Sequence, residues 1–181
     1  MTHFRLDVLR VTKAADEAVA ELVSAESLEA EVWTPALAGA TRESALLVRR
    51  LDRFDDYYYI VSYLKNGLVT ARLAVDAETT DIEEIGAIDT PGQYLLTFTE
   101  PSVVLSRLSA LTPDDSRLPG VRFRIRPELI TLPTNPTLGW KDCLESRSQL
   151  LPFYVVMVGD QSVYVRVDGQ VFSSLTDIGD A

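Results

Sequence analysis

Of the side chains that commonly do chemistry, this 181-residue chain has one cysteine, one histidine and a large stock of carboxylates. Cys143, in GWKDCLES, is the only thiol, and a nucleophilic thiol needs a positioned base to remove its proton or lower its pKa. The only histidine is His3, at the far N-terminus, where chain ends fray. Cys143 therefore reads as a structural cysteine. Being single, it also excludes an intramolecular disulfide and any multi-cysteine metal site. No GxSxG, P-loop, GxGxxG or HExxH pattern occurs, which removes the commonest hydrolase, nucleotide and zinc readings. No catalytic residue, metal ligand or cofactor is assigned.

The carboxylates suggest two chemistries, and each has a plainer explanation. Asp55-Asp56, Glu83-Glu84 and Asp114-Asp115 have the composition of general acid–base pairs, but sequence neighbours on a strand point to opposite faces. Asp76, Glu78 and Asp81 offer oxygen ligands of the kind Ca2+ prefers. Their spacing is not that of an EF-hand, and Asp and Thr favour turns for local hydrogen-bonding reasons. Two other groups suit binding. Tyr57, Tyr58, Tyr59 and Tyr63 crowd one segment, and Arg122, Arg124 and Arg126 alternate in another. On a strand those arginines would stand about 7 Å apart on one face, ready for an acidic partner or for a cross-strand ladder with Asp and Glu.

The formal charge is -10, and nucleic-acid affinity rests on clustered Lys and Arg, so a nucleic-acid partner is not expected. Hydrophobic residues make up 46% and charged residues 24%, as in ordinary globular chains, and no apolar run is long enough to span a membrane. The N-terminus, MTHFRLDVLRVTKAADEAV, carries charges every few residues and lacks the apolar core of a secretory leader. A cytoplasmic protein is expected.

These side chains must be positioned by elements readable from apolar period. Tyr57 to Asp76, YYYIVSYLKNGLVTARLAVD, is an aromatic run, a Lys65-Asn66-Gly67 break and an alternating run, which together predict a β-hairpin. Its return strand should bury Val69, Ala71, Leu73 and Val75 and turn Thr70, Arg72 and Asp76 outward. Its outgoing strand is apolar on both sides, which implies burial on both faces or an exposed aromatic row. Before it, Phe4 to Val11 alternates like a strand, Thr12 reads as an N-cap, and Lys13 to about Ala25 has helical spacing. LEAEVWTPALAGATRE, with Pro35 and Gly39, reads as a connection with a short strand near Val32. Ala45 to Leu51 and Ile82 to Ile88 read as strands.

Pro91-Gly92 is the clearest boundary signal, and the pattern restarts behind it. Tyr94 to Phe98 reads as strand, Glu100 to Leu111 as a helix with Pro101 in its first turn, and Val121 to Arg126 as strand. Pro127, Pro133 and Pro136 make the next stretch irregular. Phe153 to Asp168, FYVVMVGDQSVYVRVD, is a second hairpin that turns Val163, Val165 and Val167 inward, and Val171 to Leu175 closes the chain. The expected class is α+β: two tandem related units, residues 1–91 and 92–181, each a helix on an antiparallel sheet, with one compact domain as the alternative.

The turn Val75-Asp76-Ala77-Glu78-Thr79-Thr80-Asp81-Ile82, within Leu68 to Ile85, resembles the final hairpin of the PepSY family, in which a VD-x-x-T-G turn joins two strands behind a helix. Thr80 stands where the family has glycine. The resemblance implies a helix packed on a small antiparallel sheet, as also in cystatin-like folds. Two functions from different classes remain open. One is a non-catalytic protein-binding module using the tyrosine strand or the arginine row; the other is an enzyme with a carboxylate and arginine site between the two units.

Overall fold

In a computed structural model, the chain is described over all residues except 1–6, 25–27, 89–93, 111–136, 159–160 and 180–181. It is a mixed α+β protein whose strands pair mostly antiparallel. Two compact units divide it, residues 1–48 with 53–96 and residues 49–52 with 97–181. The Pro91-Gly92 signal lies outside the described residues.

The first unit begins with α1, Val8–Ser24, where alternation predicted a strand as far as Val11. Alternation over three or four apolar residues cannot separate the two periods, and the side chain that starts the helix is Asp7, not Thr12. Asp7 Oδ1 accepts the backbone N–H groups of Leu9 at 3.1 Å and Arg10 at 3.3 Å, so Asp7 is the N-cap and satisfies two otherwise orphaned donors. Thr12 sits one turn inside, buried, its hydroxyl donating back to Val8 O at 2.9 Å. Phe4 to Leu6 lie outside the described residues.

The expected connection is a second helix, α2, Leu28–Leu37, rather than a loop with a strand at Val32. Pro35 lies in its last turn, where the ring removes one bond from a ladder that is already ending. Gly39 supplies the left-handed C-terminal residue at φ 72°, the conformation least costly for glycine. The orphan carbonyls of the last turn are taken by the hairpin further along the chain. Lys65 Nζ donates to Pro35 O at 2.6 Å, and Thr70 Oγ1 to Ala36 O at 2.7 Å.

That hairpin is β3, Tyr57–Lys65, and β4, Leu68–Asp76, preceded by β1, Thr41–Arg42, and β2, Leu46–Arg50, and followed by β5, Ile82–Ala87. Leu46–Val48 of β2 belong to the first unit and Arg49 and Arg50 to the second. In the first unit the strand order is β5-β4-β3-β2, with β1 paired to β3 as well. Asn66 at φ 53° and Gly67 at φ 77° make the tight turn that the sequence expects. Val11, Ala15, Ala36 and Leu37 of the helices close over Tyr59, Val61, Tyr63, Ala71, Leu73 and Val75 to form one core.

Thr70 and Arg72 do not face solvent as the alternation predicted; they are only 2% and 4% exposed. A bulge explains the threonine. Tyr63 pairs with Ala71 and Leu64 with Val69, which leaves Thr70 unpaired and turned toward the end of α2. Arg72 is covered by the segment 94–96, donating through Nη2 to Leu96 O at 2.6 Å, while Leu95 N–H donates to Val69 O. The expected strand at Tyr94 to Phe98 is therefore a chain segment pinned at two points, without a ladder.

The second unit contains α3, Pro101–Ala110, then β6, Leu138–Trp140, β7, Phe153–Val158, β8, Gln161–Arg166, and β9, Val171–Phe172, in that strand order. Pro101 opens α3, as expected, and Val104 and Leu108 are buried while Val103 is exposed. Val163, Val165 and Val167 are buried, as their alternation required. Phe153 stacks edge-on against Tyr164 and Phe172 at 6.2 and 5.9 Å. Gly139 lets β6 approach closely, because a Cβ there would lie 2.6 Å from Leu51 Cδ2 and 3.1 Å from Val155 Cγ2.

The packing sets three stability outcomes. Asp7→Ala should cost about 1 kcal/mol through loss of the N-cap, and Leu73→Ala, at a fully buried site, about 2–5 kcal/mol. Gly139→Ala should cost about 1–3 kcal/mol by overpacking. Urea unfolding followed by circular dichroism measures all three, and a Leu73→Ala loss no larger than that of Asp7→Ala would contradict the assigned core.

Candidate functional site

The structure places the four candidate tyrosines in the hairpin, but not as an open row. Tyr58, Tyr59 and Tyr63 are buried and Tyr57 is half-buried, because β3 is covered on both faces. The aromatic run serves the core instead. Burial, reinforced by the nearby Asp7 charge, raises the Tyr59 pKa. Burial, with a hydrogen bond to Asp16, raises that of Tyr63 far more. Arg122, Arg124 and Arg126, together with Asp114, Asp115 and His3, lie outside the described residues.

Asp76, Glu78 and Asp81 form a turn that uses its own oxygens. Asp76 Oδ1 accepts the N–H groups of Glu78 and Thr79 at 2.8 and 2.7 Å, and Thr80, at φ 68°, takes the left-handed position where the PepSY pattern has glycine. Glu78 O accepts from Arg10 Nη2 at 2.9 Å, which ties the turn to the start of α1. Among the described residues, no group of three or more Asp, Glu, His or Cys is arranged to hold a metal ion. Asp56 pairs with Arg53 at 3.2 Å in the turn before β3.

Cys143 is fully buried in a tight loop of the second unit, where its thiol lies 3.7 Å from Ser146 O. Burial raises its pKa, the opposite of what a nucleophile needs. Around it a polar network holds the C-terminal segment. Glu145 accepts the Thr176 N–H at 2.8 Å and its hydroxyl at 2.9 Å, and Lys141 pairs with Asp177 at 2.6 Å. Arg166 donates to Glu145 O and pairs with Asp168 at 2.6 Å, its guanidinium 5.8 Å from the centre of the Phe172 ring. Burial alone would push the Glu145 and Asp168 carboxyls up. Their hydrogen bonds, from Thr176 to the first and from Arg166 and the Gln170 N–H to the second, outweigh it and hold both below the usual carboxylate range.

A different arrangement lies on the outer flank of α1. Leu9, Thr12, Lys13, Asp16, Glu17, Ala20 and Arg42 line an open groove of about 400 Å3. Asp16 is its fixed point, since Arg42 Nε donates to both carboxylate oxygens at 3.1 Å and Tyr63 Oη to one at 2.9 Å. The carboxylate thus accepts three hydrogen bonds from two side chains, which fixes its orientation. Lys13 and Glu17 pair at 3.2 Å one turn apart, both well exposed. Leu9, 77% exposed, stands at one end of the groove. Sequence reading missed this group because it placed Leu9 in a strand; helical numbering from Val8 would have put Leu9, Lys13, Asp16 and Ala20 on one side. Comparison with family models, with curated proteins and with solved structures finds no match to this chain.

Two measurements test these assignments. A group whose folded-state pKa is depressed contributes stability that is complete above its unfolded pKa and is lost as pH falls through the folded value. Glu145 and Asp168 should therefore lower stability progressively below about pH 4, and Glu145→Gln should flatten that acid limb in a pH series of urea midpoints. Cys143→Ser should lower stability by about 0.5–3 kcal/mol. Wild-type Cys143 should react with iodoacetamide at neutral pH far more slowly than a free cysteine, and rapid labelling of the folded protein would refute its burial.

Proposed function

We propose that this protein is a non-catalytic protein-binding module and that its contact surface is the outer flank of α1. The observation carrying this reading is Leu9, 77% exposed beside a groove whose charged side chains are already paired with one another. Charges held by partners supply shape and specificity without reactivity, and an exposed large apolar side chain among them is the usual composition of a contact site. The formal charge of -10 supports a protein partner over a nucleic acid, and the single cysteine supports a cytoplasmic setting. Among the described residues, no helix is long and apolar enough to cross a membrane.

The two halves are further read as copies of one α+β unit. In support, each has a helix ahead of three sequential antiparallel strands, β3-β4-β5 in the first and β7-β8-β9 in the second. The PepSY-like and cystatin-like reading fits the first unit, in which α1 and the β3–β4 hairpin share a core. The Arg122, Arg124 and Arg126 row is retained as a second contact surface to be tested.

Capture from the native cell extract separates these surfaces. Leu9→Asp should lose the proteins that wild type retains, whereas Leu46→Asp, a change at another exposed apolar position, should keep them. Arg124→Glu is run beside them. If Leu9→Asp stays folded and captures the wild-type set, the α1 flank is not the contact surface; a loss confined to Arg124→Glu would move the site to the arginine row.

A further inference from the structure

We infer that the α1 flank pairs with a second copy of this chain, the two α1 helices lying antiparallel about a two-fold axis. The inference rests on the reading of that flank as a contact surface and names its partner. Leu9, Lys13, Asp16 and Ala20 recur at spacings of four, three and four, which on an α-helix places all four along a single seam on one face. Buried Val11 and Ala15 mark the opposite side of α1, turned into the core. The seam is thus open to a partner.

A two-fold interface must be complementary to itself, because a residue facing another is faced in turn by that residue's copy. In an antiparallel pair, the register that sets Leu9 opposite Ala20 also sets Lys13 opposite Asp16, with Glu17 beside it. The large exposed apolar side chain then meets the smallest residue of the seam, and the cation meets two carboxylates. A parallel pair would instead stack Lys13 on Lys13 and Asp16 on Asp16, which like-charge repulsion disfavours. Arg42 closes one side of the groove and is held there by Asp16, so the site exists before the partner arrives.

The 17 residues of α1 extend about 25 Å, and its seam offers each partner a single large apolar side chain, Leu9. The dimer is therefore a weak one, and sedimentation equilibrium up to on the order of 1 mM should show it. Register is tested by paired cysteines. Mixing Leu9→Cys chains with Ala20→Cys chains under mild oxidation should give about tenfold more disulfide-linked dimer than either alone, since a disulfide needs Cα atoms within about 7 Å. Two copies of Leu9 would lie about 16 Å apart along the seam. Both positions are exposed, circular dichroism verifies folding, and native Cys143 is buried away from the reagent. Linkage of Leu9→Cys to itself as readily as to Ala20→Cys overturns the register. A wild-type chain that stays monomeric throughout overturns self-pairing, while the contact-surface reading is then judged by the capture experiment alone.

Discussion

Burial of both faces of the β3–β4 hairpin is the constraint on which the rest of the first unit depends. One face takes the two helices, so α1 and α2 must each turn an apolar stripe inward and be capped within reach of the sheet. The hairpin supplies part of that capping itself, since Lys65 and Thr70 reach the last carbonyls of α2. The other face carries Arg72, and an arginine 4% exposed cannot go unbonded without a penalty of several kcal/mol. Burial lowers its pKa to about 10, partly offset by the Glu43 charge, so it stays a cation at neutral pH and needs its acceptors. The carbonyl of Leu96 is one, which explains why segment 94–96 runs across β4 instead of forming a strand of its own.

Polar residues in both units are used in the same manner, to join elements of unlike kind. Asp16 links α1 to β1 and β3 through Arg42 and Tyr63, and Asp76 organises the turn into β5. In the second unit, Glu145 holds Thr176 and Arg166 holds the loop carbonyl of Glu145. Each of these carboxylates is partnered by N–H, O–H or guanidinium donors.

Where the residues themselves specify the backbone, the fold was legible in the sequence. Asn66-Gly67 requires the left-handed turn, and alternating valines at 163, 165 and 167 require a one-sided strand, so both hairpins were readable from local chemistry. Pro101 likewise marked the start of α3. The failures came where tertiary contacts outweigh local signals. Pro35 and Gly39 look like a broken connection until Lys65 and Thr70, some 30 residues away in sequence, cap the helix they terminate. For Tyr58, Tyr59 and Tyr63 the sequence left burial on both faces and an exposed row equally open, because nothing in one segment reveals what covers it, and the structure buries them. The groove beside α1 was hidden for a simpler reason: Phe4, Leu6 and Val8 alternate over too few residues to decide between a period of two and one of 3.6, and the wrong choice put Leu9 in a strand, apart from Lys13 and Asp16 in the helix.

The α1 flank combines fixed and adaptable charges. Asp16 and Arg42 are locked by three hydrogen bonds, one of them from a tyrosine buried in the core, so their geometry is set by the fold. Lys13 and Glu17 are different, with side chains 77% and 62% exposed. An ion pair of that kind contributes about 0.5 kcal/mol or less, so Lys13 can leave Glu17 for another carboxylate at little cost. Leu9 completes the set, since covering it would recover apolar burial of roughly 1.5–3 kcal/mol if complete. A rigid anchor, a lysine free to change partners and an uncovered leucine all lie on one helix whose inner side is fixed by the core.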